Sequence, residues 1–240
     1  VTYFTDAQEC ASLFRDYAND PANSLDEITR TNIGGWSMWS VCEQSLGQRP
    51  KRVAPDDCPA QIPLAAHYHP QSNPEGVRCS IYDGMKNVFG TRLYADIGVD
   101  REFARAPHDN VGVQYGLAAL NEGLIDTARF LDLNEKIGGW DIDVNSRPQR
   151  TEADTEALRA AYQTGRVTSG GAGLAQVPII DDRPYLDDVG DFHASVYSFV
   201  TRERLVRDNG HADNYVLRRH QRDKNIANEN LALMDQWLAN

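Results

Sequence analysis

Apolar positions at the start of the chain recur at helical spacing. Cys10, Leu13, Phe14 and Tyr17 form one stripe behind Thr5-Asp6-Ala7-Gln8, which reads as a capping box. Ser24-Leu25-Asp26-Glu27 repeats the start signal, and Gly34-Gly35 closes a second helix. Over residues 36–74 the pattern breaks, with prolines at 50, 55, 59, 63, 70 and 74, a density that excludes long regular elements. Asp109-Asn110 predicts a helix through Val113, Leu117 and Leu120 that ends at Asn121-Glu122-Gly123. Asp126 caps the next, with Phe130, Leu133 and Ile137 inward and Gly138-Gly139 after it; the short connection predicts an antiparallel αα-hairpin. A further helix is expected over residues 151–162, stopping at Gly165.

The last third changes character. Residues 175–181 (AQVPIID) are a short continuous apolar run, the pattern of a strand buried on both faces. A helix over 193–208, Gly210, a second strand over 214–218 and a final amphipathic helix with Ile226, Leu231, Met234, Trp237 and Leu238 follow. Strand–helix–strand–helix predicts adjacent parallel strands, the unit of an α/β sheet. The fold class expected is therefore α/β, with a helical, disulfide-braced cap over 1–165 and the C-terminal part of a sheet over 166–240. Two strands do not make a stable doubly wound sheet, so the remaining strands are expected from another chain.

Composition adds constraints. In 240 residues, 41% hydrophobic and 25% charged is the balance of a globular protein, and the net charge of −11 argues against nucleic acid or an anionic membrane surface as partner. The longest apolar runs are too short to span a bilayer. The opening at Val1 without a methionine is read as the mark of processing. Cys10, Cys42, Cys58 and Cys79 contain no C-x-x-C pair, so two disulfides in a secreted or periplasmic protein are expected, four buried thiols being the alternative. Three connectivities are open, with Cys10 favoured to pair outside the 42–79 segment.

Functional groups of open α/β sheets gather beyond the carboxyl ends of the strands. With the first strand ending at Ile180, the following loop holds Asp181, Asp182, Asp187, Asp188, Asp191 and His193; the second strand leads to His220. An acid after one strand and a histidine after the next is the chain order of a hydrolase triad, the histidine serving as base for a serine and the carboxylate orienting it. Turn formation and capping are the plainer roles for the aspartates, Asp191 standing well to cap the helix after it. No G-x-S-x-G occurs, and Ser169-Gly170-Gly171 precedes its strand, reading as a hinge between cap and sheet.

Other chemistry is weaker. His67 and His69 alternate on an extended segment and form a candidate metal pair whose only nearby carboxylate is Glu75. Asp141, Asp143 and Asn145 have the alternating oxygens that open a calcium loop but lack its glycine at position six; a structural turn is the preferred reading. No cofactor-binding motif is present. Trp36, Trp39, Tyr68, Tyr82 and Trp140 offer either a sugar- or polyester-binding platform or packing inside the cap.

The runs 73–79 (NPEGVRC), 109–121 (DNVGVQYGLAALN), 130–139 (FLDLNEKIGG), 190–193 (GDFH), 198–199 (SF), 202–205 (RERL), 209–210 (NG) and 233–238 (LMDQWL) resemble a family of exported bacterial α/β-hydrolase-like proteins. That family is distantly similar to tannases and 3-hydroxybutyrate oligomer hydrolases. The resemblance covers about residue 73 onward. It implies a secreted serine hydrolase acting on esters, with longer chains, a serine elbow upstream of the region matching Val1 and more chain after Asn240. It also implies roles for Asp191 and His193, whereas strand topology favours His220 with Asp187.

The expectation is thus a subunit of an exported serine-type ester hydrolase. It supplies acid, histidine and part of the pocket, while an N-terminal chain of the same precursor carries the serine. The alternatives are a non-catalytic exported binding protein working through its aromatic cluster, and a metal-dependent hydrolase using His67 and His69.

Overall fold

The computed structural model describes residues 2–46, 52–191 and 193–239; Val1, Pro50, Phe192 and Asn240, used above, lie outside the described residues. The architecture mixes helices with small sheets and divides into two compact units, residues 1–166 and 167–240.

In the first unit, helix α1 (Thr2–Ala11) begins before Thr5 and widens into a π-helical stretch, Ser12–Ala18. The expected capping box therefore lies inside the helix, where the Gln8 side chain is buried instead of reaching back to a free N–H. Helix α2 (Glu27–Gly34) starts two residues later than the Ser24 capping box implies, because Asp26 is the cap, its Oδ1 accepting from Thr29 N at 2.8 Å; it ends at Gly35 with φ 70°, as expected. Helix α3 (Ser40–Leu46) precedes the described prolines and carries Cys42. Cys10 pairs with Cys42, joining α1 to α3; Cys10 was expected to pair outside the 42–79 segment, and its partner is that segment's first residue. The bridge lies in a core with Leu13, Tyr17, Ile33, Trp39, Tyr115, Leu133 and Ile137.

The second bridge, Cys58–Cys79, closes the proline-rich stretch. In the chain-entropy account, loops of 32 and 21 residues are each stabilised by about 3–4 kcal/mol on closure. Beside it, Gly76 runs against the 67–68 backbone so closely that a Cβ would sit 2.5 Å from the His67 carbonyl oxygen. Arg78 is buried here, donating to Asp83, Asp143 and the Ile142 carbonyl, with its guanidinium 4.4 Å from the Tyr68 ring and 4.3 Å from Phe103. Tyr68 closes the cluster by donating to Asp143 at 2.8 Å.

Helix α4 (Lys86–Phe89) leads to the antiparallel pair β1 (Thr91–Leu93) and β2 (Glu102–Ala104). The helix expected from Asp109-Asn110 is only α5 (Leu117–Asn121), because Gly112 and Gly116 both take φ 80°. Asn110 is no cap but a buried clamp. Its amide donates to Gly138 O (2.9 Å), its side-chain oxygen accepts from Thr151 N (2.8 Å), and its N–H reaches Thr151 O (3.0 Å). Helix α6 (Thr127–Lys136) is as predicted, capped by Asp126 with Leu133 and Ile137 buried. The pair β3 (Gly139–Trp140) and β4 (Ser146–Arg147) follows. Helix α7 (Thr155–Gln163) starts later than expected, since Thr151 is held by Asn110 and Asp154 is the cap.

In the second unit, β5 (Ile179–Pro184) and β6 (Tyr215–His220) pair in parallel, with α8 (Val196–Asn209) between them and α9 (Ala227–Leu238) after. The first strand begins later than the apolar run suggested. Pro178 offers the ladder no N–H, and Asn214 takes the carbonyls of Leu174 and Val177. It is half-buried, not covered on both faces. Ser169-Gly170-Gly171 is docked instead of hinge-like: Gly170 N donates to Asp208, Asn209 donates to Gly170 O, and a Cβ at 170 would lie 2.3 Å from Arg204 O.

Candidate active site

Period-two alternation sorts the sheet. Asp181, Arg183 and Tyr215 share the face that meets α8, where Ser198 Oγ accepts from Arg183 (3.0 Å) and Ser198 O accepts from Tyr215 OH (3.1 Å). Asp182, Arg218 and His220 share the other, which meets α9. There Asn230 donates to Asp182 Oδ2 (2.8 Å) and accepts from Arg218, which also pairs with Glu229 (3.0 Å).

His220, the last residue of β6, meets Asp182 and not Asp187: Nε2 lies 2.7 Å from Asp182 Oδ1, and Nδ1 lies 2.8 Å from the Gln221 carbonyl. A carboxylate and a carbonyl both only accept, so both ring nitrogens face acceptors. Beside it lies an open depression of about 800 Å³ lined by Tyr185, Asp188, Arg219 and Arg222; Arg222 pairs with Asp188 at 2.9 Å.

Asp187 Oδ1 accepts from Ser195 N at 2.7 Å, a capping bond at the start of α8. Asp191 and His193 come together in the same loop, Asp191 Oδ1 receiving His193 N–H at 2.8 Å and facing Nδ1 at 2.7 Å. The His193 backbone N–H, and then its ring, hold the Asp191 carboxyl below the usual carboxylate range. The His193 side chain is 59% exposed. Here the carboxylate engages Nδ1, the nitrogen by which a triad acid orients its base.

Asp182 and Asn230 are the residues that sequence reasoning passed over as partners. The signal existed: with the ladder in register, Asp182 and His220 fall on one face as diagonal neighbours.

The metal candidates are spent locally. His67 Nε2 faces Ile62 O at 3.0 Å, while His69 Nδ1 accepts from Gln71 N and Ser72 N. Asp141 Oδ1 accepts from Asp143 N and Asn145 N, and its Oδ2 from the Asn145 amide; Asp143 belongs to Arg78. Glu152 stands at the twelfth position from Asp141. Among the described residues, no group of three or more His, Cys, Asp or Glu is arranged to hold a metal ion. Of the aromatic group, Trp39, Tyr68, Tyr82 and Trp140 are buried, and Trp36 packs on the core, so they serve packing.

The two disulfides point to an oxidising environment, and among the described residues no helix is long and apolar enough to cross a membrane. No curated protein and no solved structure matches the chain. A family model does match, over residues 1–240, and by it the chain belongs to the tannase-like family of unknown function (DUF6351).

Proposed function

We propose that this chain is part of an exported serine-type ester hydrolase, in which residues 167–240 form the C-terminal end of an α/β sheet. The nucleophilic serine and the remaining strands come from another chain of the same precursor. In this reading His193 is the general base, oriented by Asp191. The observation that carries it is the 2.7 Å contact of Asp191 with His193 Nδ1 on a ring left largely exposed. The tannase-like family, the parallel strands and the disulfides all suit such an enzyme.

The second reading gives the base role to His220, favoured by its place at the carboxyl end of β6 beside an open depression. Hydrolysis of a p-nitrophenyl ester by the chain purified with its partner separates the two. His193→Asn is expected to lower kcat by about 10²–10⁴-fold, Asp191→Asn by less, and His220→Asn to leave kcat within about threefold. The opposite ranking of the two histidines assigns the base to His220 and ends the His193 reading.

A further inference from the structure

The parallel ladder of the second unit ends where positive charge is left over. Its register sets Arg183 on β5 directly opposite Arg219 on β6, like charge against like charge. Tyr185 follows on the same face, its N–H donating to His220 O at 2.8 Å. Asp181, the acid of that face, accepts from Tyr215 OH and lies 3.6 Å from Arg183, which also donates to Ser198 Oγ. Arg219 has a ring in place of a carboxylate, its guanidinium 4.6 Å from the centre of Tyr185. The ring steadies the charge without using up the fork of N–H donors. Among the described residues, Arg219 makes no side-chain hydrogen bond and no ion pair.

The open depression of about 800 Å³ beside it is lined by Arg219, Arg222 and Lys224, with Asp188 and Asp223 as its acids. Arg222 is spent on Asp188, one nitrogen lying 2.9 and 3.0 Å from the two carboxylate oxygens. His220 is engaged by Asp182 and the Gln221 carbonyl. Lys224 stands on the turn after β6, its backbone N–H donating to Gln221 O at 3.1 Å. Its side chain and that of Asp223 are exposed, and neither forms an ion pair among the described residues. Three cations against two carboxylates leave one positive charge over, His220 aside. In a chain of net charge −11 that is a local reversal of sign.

This excess selects the ligand. A singly charged carboxylate matches it, whereas phosphate would bring a second negative charge beside Asp188 and Asp223. The planar fork of an arginine meets a carboxylate through two parallel hydrogen bonds, and a lysine adds a point charge. The volume lies within the range of small-molecule sites, about 300–1,000 Å³, with room for an organic acid around its charged end.

We propose that this depression binds the carboxylate of a small organic acid, with Arg219 and Lys224 as its partners. Resting on the reading of the chain as part of an ester hydrolase, the substrate class is then a half-ester of a dicarboxylic acid, which keeps one carboxylate free.

Two measurements keep the site and that reading apart. Calorimetric titration of the full chain with butyrate, against butyramide and inorganic phosphate, tests the site alone. Butyrate is expected to saturate below about 50 mM, phosphate to bind more weakly and butyramide not to saturate. Arg219→Gln and Lys224→Gln should each weaken butyrate by about tenfold. If Arg219→Gln does not fold, Lys224→Gln on its exposed turn decides. No saturation by butyrate, tighter binding of phosphate or butyramide, or unchanged affinity in the folded variants overturns the site. Hydrolysis of monomethyl adipate against dimethyl adipate by the chain purified with its partner tests the substrate class. The half-ester is expected to be favoured in kcat/KM by about tenfold, and Arg219→Gln to remove that preference through KM. A ratio at or below one overturns the substrate class. Butyrate binding with neither ester hydrolysed supports the site and counts against the hydrolase reading alone.

Discussion

The two units of the chain differ in how far each satisfies itself. Residues 1–166 contain both disulfides, a core running from Cys10 to Ile137, and a buried arginine matched by two carboxylates and two rings. In residues 167–240, Ala194, Leu205, Tyr215 and Ile226 are the buried apolar side chains among the described residues. Phe199 on α8 is 55% exposed and Leu231 on α9 71% exposed, while Val196, Val216 and Leu238 also face outward. A parallel sheet is ordinarily covered on both faces and flanked by further strands. The first unit is braced covalently around its own core, whereas the second leaves apolar side chains of both its helices exposed, a surface that the proposed partner chain would cover.

The sharpest way to break that comparison is to damage the first unit's interior. Asp143→Ala leaves the Arg78 guanidinium with one of its two carboxylates, in a place where its side chain is 2% exposed. The expected loss is about 3–5 kcal/mol in chemical unfolding, all of it in the transition of the first unit. A loss under about 1 kcal/mol would show that the cluster is not what holds the proline-rich stretch.

A smaller effect follows from His108. Burial, then the Arg147 charge, lowers its pKa to about 4 from 6.5. Above pH 6.5 the ring is neutral folded and unfolded, so it gives stability no pH dependence. As pH falls from 6.5 to about 4 the unfolded chain takes up a proton that the fold refuses, and stability declines by roughly 3 kcal/mol in total. Denaturant midpoints of the first unit measured between pH 7 and 4 should show this slope, and His108→Gln should flatten it. An identical slope in the variant would place the acid sensitivity elsewhere.

Much of this was readable from the sequence wherever signals were local. Asp126 capping α6 and the stop of α2 at Gly35 follow from residues within a few positions of one another, and the parallel β5–α8–β6 unit follows from the order of its locally signalled elements. What stayed hidden depends on distant partners. Asn110 has the residue type of a cap, and only Thr151, 41 positions on, turns it into a clamp. Asp182 looked like a loop aspartate because the strand was ended at Ile180. Extending β5 to Pro184 moves it onto the sheet, where its partner His220 is 38 positions away. Arg78 and His108 gave no sequence signal at all, since burial of a charged or titratable side chain is decided by tertiary packing.

The central claim is that residues 167–240 are completed by another chain. Native mass spectrometry of the protein isolated from its source, after treatment with a fluorophosphonate, tests it most directly. The expected result is a complex of two polypeptides, in which the label sits on a different polypeptide from the one that contains this sequence. A lone, unlabelled polypeptide containing this sequence, or the label and this sequence on one polypeptide, would contradict it.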